Sequence, residues 1–184
     1  RGVPYCCDTK HTVPAAYLSE WTYYQDNTDL WHIWPGADEF SNSQLNAELP
    51  ENMILLECSG HKFCQRNFRS IACRSFPFFP YLDRQNEFIG LAYYWEYEDR
   101  CWVMSNLEVV SDTYRQQFIQ VYTGLFKSIP AEFKNYVFWS AHMREIFVRQ
   151  NRGIPLLHRD GNVYNVSPQD GKLNLCQAED FPKY

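Results

Sequence analysis

The sequence has no apolar run that approaches the roughly 18 residues of a membrane-spanning helix, and its first residues lack the basic and then apolar segments of a signal peptide. It has no C-x-x-C pair matched by a second such pair or by spaced histidines, which excludes the common zinc-binding motifs. A G-x-S-x-G turn and a glycine-rich phosphate loop are also missing. We therefore expect no membrane span, no metal site and no cofactor.

A surplus of positive charge is missing as well. The chain carries 17 basic and 22 acidic residues, which gives a formal net charge of -5 at neutral pH. General affinity for phosphate backbones needs a concentrated basic surface. The charge balance therefore predicts that nucleic acid is not a partner of this protein.

The chain is rich in apolar and aromatic residues. Hydrophobic residues make up 45% of its 184 residues and aromatic residues 17%, which is far from the composition of disordered chains. A chain of this length can bury a core without help from a metal. We expect a single domain over residues 1–184, with an internal division near residues 100–110, where the hydrophobic pattern changes.

Seven cysteines indicate an oxidising compartment. Because their spacing fits no metal motif, disulfide bonds are the better interpretation. The two adjacent cysteines would let two bridges tie the N-terminal segment to the rest of the fold, and the odd number leaves one cysteine free or paired with another chain. The alternative is that they are small buried apolar groups of a cytosolic protein. The candidates are Cys6, Cys7, Cys58, Cys64, Cys73, Cys101 and Cys176.

Two further features agree with a secreted, extracellular protein. The chain starts at RGVPYCC without a methionine, as expected of a mature form from which a signal or pro-segment has been removed, although a trimmed chain would look the same. Asn165-Val166-Ser167 is an acceptor sequence for N-glycosylation. The Pro168 that follows makes use of this acceptor less favourable.

The predicted fold class is α+β, with a β-rich N-terminal half. NMILLECSG has the composition of a buried strand, and EFIGLAYYWEYEDRCWVMSNLEVV predicts two strands folded about Glu98-Asp99-Arg100. FPFFPYLDRQN is predicted as a loop because its prolines remove donors from a strand ladder. The tail from Lys172 is predicted to be irregular.

A helix is predicted from Ser111, because Tyr114, Phe118 and Tyr122 recur at helical spacing behind a favourable N-cap. The apolar run in KNYVFWS then predicts a strand buried on both faces. A single unbroken helix would place Arg144 within an apolar face, so the break at Ser140 is preferred.

After that break, a second helix is predicted to begin at Ser140 and to stop at Gly153. Asp160-Gly161-Asn162 then suits the tight turn of a hairpin. The segment that follows the β-rich half is thus predicted to have the order strand, helix, strand, helix.

The predicted turn at Ser140 is a candidate ligand site. A strand that runs into a helix start leaves free N–H groups, and the helix dipole favours an anion there. Trp139 would offer a stacking face and His142 a proton donor near neutral pH. The alternative is structural, since every helix has such an end, serine is a common cap and Trp139 could belong to the core.

Paired carboxylates are the second candidate. Hydrolysis by acid and base needs two carboxyl groups in different environments. Glu96 and Glu98 share one side of a predicted strand among aromatic residues. The alternative is that they are ordinary polar residues on the solvent-exposed face of a hairpin.

The segment VFWSAHMREIF resembles the FWS turn of the ADP-ribosyl cyclase and NAD glycohydrolase family over about ten residues. The resemblance implies that Trp139 and Ser140 contact the substrate. The family usually has glycine or arginine after this serine, where this chain has Ala141. The catalytic glutamate of the family lies in a downstream segment that has no counterpart here, which leaves NAD cleavage as an alternative.

A second resemblance concerns the whole chain. The start RGVPYC, six cysteines before Gln116 and mixed α and β structure are similar to small secreted cysteine-rich effectors of plant-pathogenic fungi. This resemblance implies a class and no site residues. The sequence thus predicts a secreted, disulfide-stabilised, aromatic-rich protein that binds a protein or small-molecule partner without catalysis, with a pathogen effector among the roles open to it.

Overall fold

The computed structural model describes residues 3–36 and 49–183 of the chain. These residues form both α-helices and β-strands, so the predicted α+β class is confirmed. The chain forms two compact units, Arg1–Phe76 and Pro77–Tyr184. In the part of the chain that is described, no helix is both long enough and apolar enough to cross a membrane.

The first unit is built on a small antiparallel sheet with the strand order β1-β3-β2. Strand β3 confirms the strand predicted in NMILLECSG. The strands are β1 (Ala15–Tyr17), β2 (Trp31–Ile33) and β3 (Met53–Cys58), and the helices are α1 (Leu18–Asn27) and α2 (Ile71–Ser75).

The carboxylate of Glu20 ties the two helices of the first unit together. It accepts hydrogen bonds from the N–H of Tyr17 at 3.1 Å, from the N–H of Ile71 at 2.9 Å and from the hydroxyl of Tyr24 at 3.1 Å. These bonds satisfy backbone donors at the starts of α1 and α2. The core beneath them is a cluster of Ala16, Tyr24, Leu30, Trp31 and Leu56.

The second unit contains a five-stranded antiparallel sheet in sequence order, β4-β5-β6-β7-β8. Two long helices connect β5 to β6. The strands are β4 (Phe78–Leu82), β5 (Phe88–Tyr93), β6 (Ile154–His158), β7 (Val163–Val166) and β8 (Leu173–Cys176), and the helices are α3 (Asp112–Ser128) and α4 (Pro130–Arg149).

Helix α3 is the helix predicted from Ser111. The Ser111 hydroxyl accepts a hydrogen bond from the Tyr114 N–H at 3.2 Å, as the capping pattern predicts. Phe118 and Tyr122 are buried on its inner face. Pro130, which follows the end of α3, occupies the first turn of α4, where its missing N–H costs no helical hydrogen bond.

Helix α4 contradicts the prediction of a strand followed by a helix that begins at Ser140. Residues 130–149 form one continuous helix, and its inner face includes Ser140, Met143 and Phe147. From Ser111 the observed order is helix, helix, strand, strand, strand, without the strand that was predicted between the two helices, so the predicted order strand, helix, strand, helix was wrong. The spacing of apolar residues gave the wrong prediction because Ser140 and Arg144, one polar and one charged, lie on the side of α4 that faces the sheet.

Two further segments differ from their predictions. The segment predicted as a loop from its prolines forms β4, whose central Pro80 is tolerated because β4 is the edge strand and can leave one N–H position unpaired. The tail predicted to be irregular contains β8, which pairs with β7. The predicted hairpin through Gly161 is confirmed, with β6 and β7 paired and a φ of 98° at Gly161.

Candidate functional site

Ser140 lies inside the second unit and cannot meet a ligand as it stands. It is 0% exposed, and its hydroxyl oxygen accepts a hydrogen bond from the Leu82 N–H at 2.9 Å. The pairing of β4 with β5 shifts register between Tyr81 and Leu82, and the N–H of Leu82 points at the helix. The predicted free N–H groups after Ser140 do not exist, because these residues are in the middle of α4.

Arg144, one turn along α4 from Ser140, completes this arrangement. Its guanidinium donates a hydrogen bond to the Leu82 carbonyl at 2.7 Å and lies 5.7 Å from the centre of the Tyr81 ring. Both backbone groups of Leu82 are therefore bound by α4. We call Ser140, Arg144 and Leu82 the helix–strand clamp, and it explains how a polar and a charged residue fit on a helix face directed at the sheet.

Replacing Ser140 by alanine should lower the free energy of unfolding by about 1–3 kcal/mol, because the buried Leu82 N–H loses its acceptor. Urea denaturation of both proteins measures the difference. Ser128→Ala is the matched control, since Ser128 is exposed at the end of α3 and should change stability by less than about 0.5 kcal/mol. Equal effects of the two substitutions would contradict a role for the Ser140 hydroxyl in the clamp.

Trp139 and His142, the other two candidates from this segment, meet each other and two further aromatic residues. The centre of the His142 ring lies 6.1 Å from that of Trp139, 5.6 Å from that of Trp95 and 6.0 Å from that of Phe138, to which it is stacked. We call Trp95, Phe138, Trp139 and His142 the aromatic surface.

The aromatic surface packs against the core on one side and is exposed to solvent on the other. Trp95 and Trp139 pack against the core cluster that includes Phe79, Met143 and Phe147. Phe138 is 64% exposed, and the His142 side chain is 37% exposed. An ordered group of rings with one large exposed member is an arrangement that suits binding.

The carboxylates of Glu96 and Glu98 do not lie on a strand. Strand β5 ends at Tyr93, and Trp95–Tyr97 is a short 3-10 helix, so the predicted hairpin about residues 98–100 was wrong. Glu96 is exposed. One Glu98 oxygen lies 2.9 Å from an Arg152 nitrogen in a largely buried ion pair. Glu98 is therefore balanced by a cation, as a buried carboxylate requires.

Five of the predicted disulfide cysteines belong to the first unit and two to the second. No two of the seven are at bonding distance from each other, so disulfide bonds remain a proposal. Cys58 and Cys73 pack against the core cluster of the first unit. Cys101 follows the turn after the 3-10 helix Trp95–Tyr97, and Cys176 is the last residue of β8.

Asn165, the glycosylation candidate, lies in β7 opposite Pro155. It is half-buried, and its side-chain amide occupies the space that a Cβ atom on Gly153 would fill. Its backbone carbonyl accepts a hydrogen bond from the Asn174 amide at 3.2 Å. The acceptor asparagine is therefore part of a sheet, whereas glycosylation acceptors are usually found in surface loops.

The first unit also contains a cavity of about 240 Å³ between strands β2 and β3. Its lining includes Trp34, Pro35, Met53 and Leu55, and none of the lining residues that the structure describes is charged. A cavity of this size can hold only a small ligand. These described residues offer apolar contact and hydrogen bonds with the strand backbones.

Sequence reasoning missed Trp95 and Phe138. Phe138 and His142 are four residues apart, which brings two side chains together on a helix but not on a strand. The predicted strand through Phe138 therefore hid this pair. Trp95 was visible only as a neighbour of Glu96, because its contact with α4 depends on the tertiary fold.

Within residues 3–36 and 49–183, no three histidine, cysteine or acidic side chains are grouped so that they could hold a metal ion. No family of proteins, curated protein or solved structure has significant similarity to this chain. The case for a function therefore depends on the geometry described above.

Proposed function

We propose that this protein is a secreted, disulfide-stabilised binding protein without catalytic activity, and that the aromatic surface of its second unit contacts the partner. The observation that carries the proposal is the exposed Phe138 ring, continuous with the rings of Trp139, His142 and Trp95. Aromatic side chains provide large contact areas at a low cost in conformational entropy, and they dominate many binding interfaces.

The character of the surface indicates the kind of partner. Its centre offers flat ring faces, and its polar edge is His142, whose Nδ1 lies 4.0 Å from a Glu145 carboxylate oxygen. A suitable partner presents an apolar or aromatic face, together with a group that can form a hydrogen bond with His142. Both a peptide segment and a small ring-shaped ligand have this chemistry. A pathogen effector that acts on a host protein is one form that such a binding protein can take.

Binding is preferred over catalysis because two of the candidate catalytic groups, Ser140 and Glu98, are already engaged. The Ser140 hydroxyl is bound to the Leu82 backbone, and the Glu98 carboxylate is paired with Arg152. A nucleophile or a general base must be within reach of a substrate. In the described geometry, neither group meets that condition.

The aromatic surface can be tested with a panel of soluble oligosaccharides and short peptides rich in phenylalanine and leucine, titrated while tryptophan fluorescence is recorded. Trp95 and Trp139 lie in the surface and should report occupation. Phe138→Ser should weaken the binding of any active member of the panel by about tenfold or more. Val148→Ser is the matched control, because Val148 is 42% exposed on the same helix outside the surface.

Two outcomes would count against the aromatic surface as the binding site. One is that no member of the panel binds the wild-type protein. The other is that Phe138→Ser and Val148→Ser bind with unchanged affinity, which would place the binding site elsewhere on the chain.

Cleavage of NAD at Trp139 and Ser140 remains the alternative hypothesis. It would require α4 to expose a serine that is buried in the helix–strand clamp. Incubation with NAD and detection of released nicotinamide tests it directly. Release of nicotinamide by the wild-type protein that is abolished in Ser140→Ala would favour the NAD-cleavage hypothesis. No release from either protein would rule that hypothesis out.

Secretion has its own test. Protein taken from its native source should be treated with an alkylating agent without prior reduction. We expect some of the seven cysteines to resist alkylation until a reductant is added. Alkylation of all seven without reduction would rule out a disulfide-bonded protein of an oxidising compartment.

A further inference from the structure

Residues 58–76, the last part of the first unit, form a basic region in a chain that is acidic overall. They include no acidic residue and four basic ones, which are Lys62, Arg66, Arg69 and Arg74. The whole chain has a formal net charge of -5, so subtracting these four positive charges leaves -9 on the rest. The positive charge of the first unit is thus concentrated in one segment.

Arg74 fixes the backbone of this segment. From α2, its guanidinium donates hydrogen bonds to the carbonyls of Arg66 and Asn67, both at 3.0 Å, and of Arg69 at 2.9 Å. The N–H of Arg69 also bonds to the carbonyl of Arg66 at 3.4 Å. The turn that carries Arg66 and Arg69 is therefore ordered before any ligand arrives, which lowers the entropic cost of binding.

Arg69 presents the end of its guanidinium to solvent. Its Nε–H donates a hydrogen bond to the Cys64 sulfur at 3.1 Å, which orients the group. The residue is exposed, and Nη1 and Nη2 have no hydrogen-bond partner among the residues that the structure describes. Two parallel N–H groups of this kind match the two oxygens of a carboxylate.

Two more cations and one exposed ring belong to the same loop. Lys62 and Arg66 are exposed, and Phe63, which ends the 3-10 helix His61–Phe63, is 69% exposed. Because Arg69 contacts Cys64, the loop folds back towards the residues just before Cys64, which are Lys62 and Phe63. We call Lys62, Phe63, Arg66 and Arg69 the basic loop.

Two acidic residues of the first unit contact this region without pairing with the basic loop. The Glu20 carboxylate accepts hydrogen bonds at the starts of α1 and α2, and the Asp29 carboxylate accepts one from the Gln65 amide at 3.4 Å. Within residues 3–36 and 49–183, no acidic side chain forms an ion pair with a cation of the basic loop. These cations are thus available to an external anion.

We propose that the basic loop binds an acidic peptide segment of a partner protein, in which aspartate or glutamate residues accompany an apolar residue. The guanidinium of Arg69 would bind one carboxylate, Lys62 and Arg66 would attract the others, and Phe63 would cover the apolar side chain. The inference does not rest on the proposed function, because the basic loop belongs to the first unit and shares no residue with the aromatic surface.

The distribution of charge favours a short acidic peptide over an extended polyanion. Exposed charges act over about 8 Å at physiological ionic strength. A nucleic acid or an anionic membrane extends well beyond that range, so it would also meet the remainder of the chain, whose net charge is negative. A short peptide can contact the basic loop alone.

The inference is tested by the fluorescence anisotropy of a labelled peptide of glutamate and leucine residues, titrated with the full chain. We expect saturable binding that weakens about fivefold or more between low and high salt, because exposed charges are screened. A peptide with glutamine in place of every glutamate should not bind. A peptide with serine in place of every leucine should bind several-fold more weakly, because it makes no apolar contact with Phe63.

Variants of the chain locate the peptide. Arg69→Gln should weaken binding about tenfold, and Arg69→Lys, which keeps the charge but not the paired N–H groups, should have an intermediate effect. The double variant Lys62→Gln, Arg66→Gln should weaken binding by a similar factor at wild-type stability, because both side chains are exposed. Lys127→Gln is the matched control, since it removes an exposed positive charge from α3 and should leave the affinity unchanged.

The inference would be overturned if the peptide of glutamate and leucine did not bind, or if it bound the variants of the basic loop as tightly as the wild-type protein. Tighter binding of single-stranded DNA or of phosphatidylserine vesicles than of the peptide would also overturn it. Phe138→Ser separates this result from the proposed function. Loss of peptide binding in that variant alone would place the peptide on the aromatic surface and contradict the basic loop as its site.

Discussion

Phe147→Ala should lower the free energy of unfolding by about 3–5 kcal/mol, the usual cost of emptying a buried phenylalanine site. Phe147 is 0% exposed and belongs to the core cluster between α4 and the sheet. Its ring also meets the Trp95 ring edge-on at 6.2 Å and supports the Arg152 guanidinium, which lies 4.0 Å from its centre. The alanine variant loses all of these contacts. Urea denaturation monitored by circular dichroism measures the change.

Phe138→Ala is the matched control for this prediction, because it removes the same side chain from the same helix. Phe138 is 64% exposed, so its loss should cost less than about 1 kcal/mol. Similar destabilisation by the two variants would mean that α4 does not face the sheet through Phe147. The pair of variants therefore tests the orientation of the helix.

Gly90→Ala should destabilise the protein by about 3 kcal/mol, at the upper end of the usual cost of overpacking. Gly90 is in β5, opposite His158 of β6. A Cβ atom there would lie 2.5 Å from the Leu157 carbonyl oxygen and 2.9 Å from the Cα of His158. Both are backbone atoms of the neighbouring strand, so β6 itself would have to move. Thermal and urea denaturation both report this loss.

Gly124→Ala is the control, and its expected effect on stability has the opposite sign. Gly124 is exposed within α3, and a Cβ atom there would have no neighbour within 4 Å. Alanine is a better helix former than glycine, so this variant should gain about 0.5–1 kcal/mol. A destabilised Gly124→Ala, or a Gly90→Ala of wild-type stability, would contradict the positions of these glycines in the fold.

The elements that could be predicted from the sequence are those with local signals. Helix α3 has a capping serine and an apolar face at helical spacing, and the turn at Gly161 needs the positive φ that glycine adopts without strain. Strand β3 is an apolar run of the right length. In each case the residues that determine the structure lie within a few positions of one another.

The elements that could not be predicted depend on partners distant in sequence. Ser140 and Arg144 make the inner face of α4 look discontinuous until Leu82, more than fifty residues away, supplies a donor and an acceptor. Pro80 is compatible with a strand only because β4 is at the edge of the sheet. The predicted helix start at Ser140, with its free N–H groups, was wrong for the same reason, since it was inferred from the apparent break.

The helix–strand clamp also determines how the aromatic surface would meet a partner. Trp139 directly precedes Ser140 in α4, and His142 lies between Ser140 and Arg144. Any sliding or rotation of α4 that displaced these rings would have to break both bonds to the Leu82 backbone. These two rings are thus held in place by the clamp, so binding of the proposed partner would need no rearrangement of the helix, and differences in affinity among such partners should appear mainly in how fast they leave.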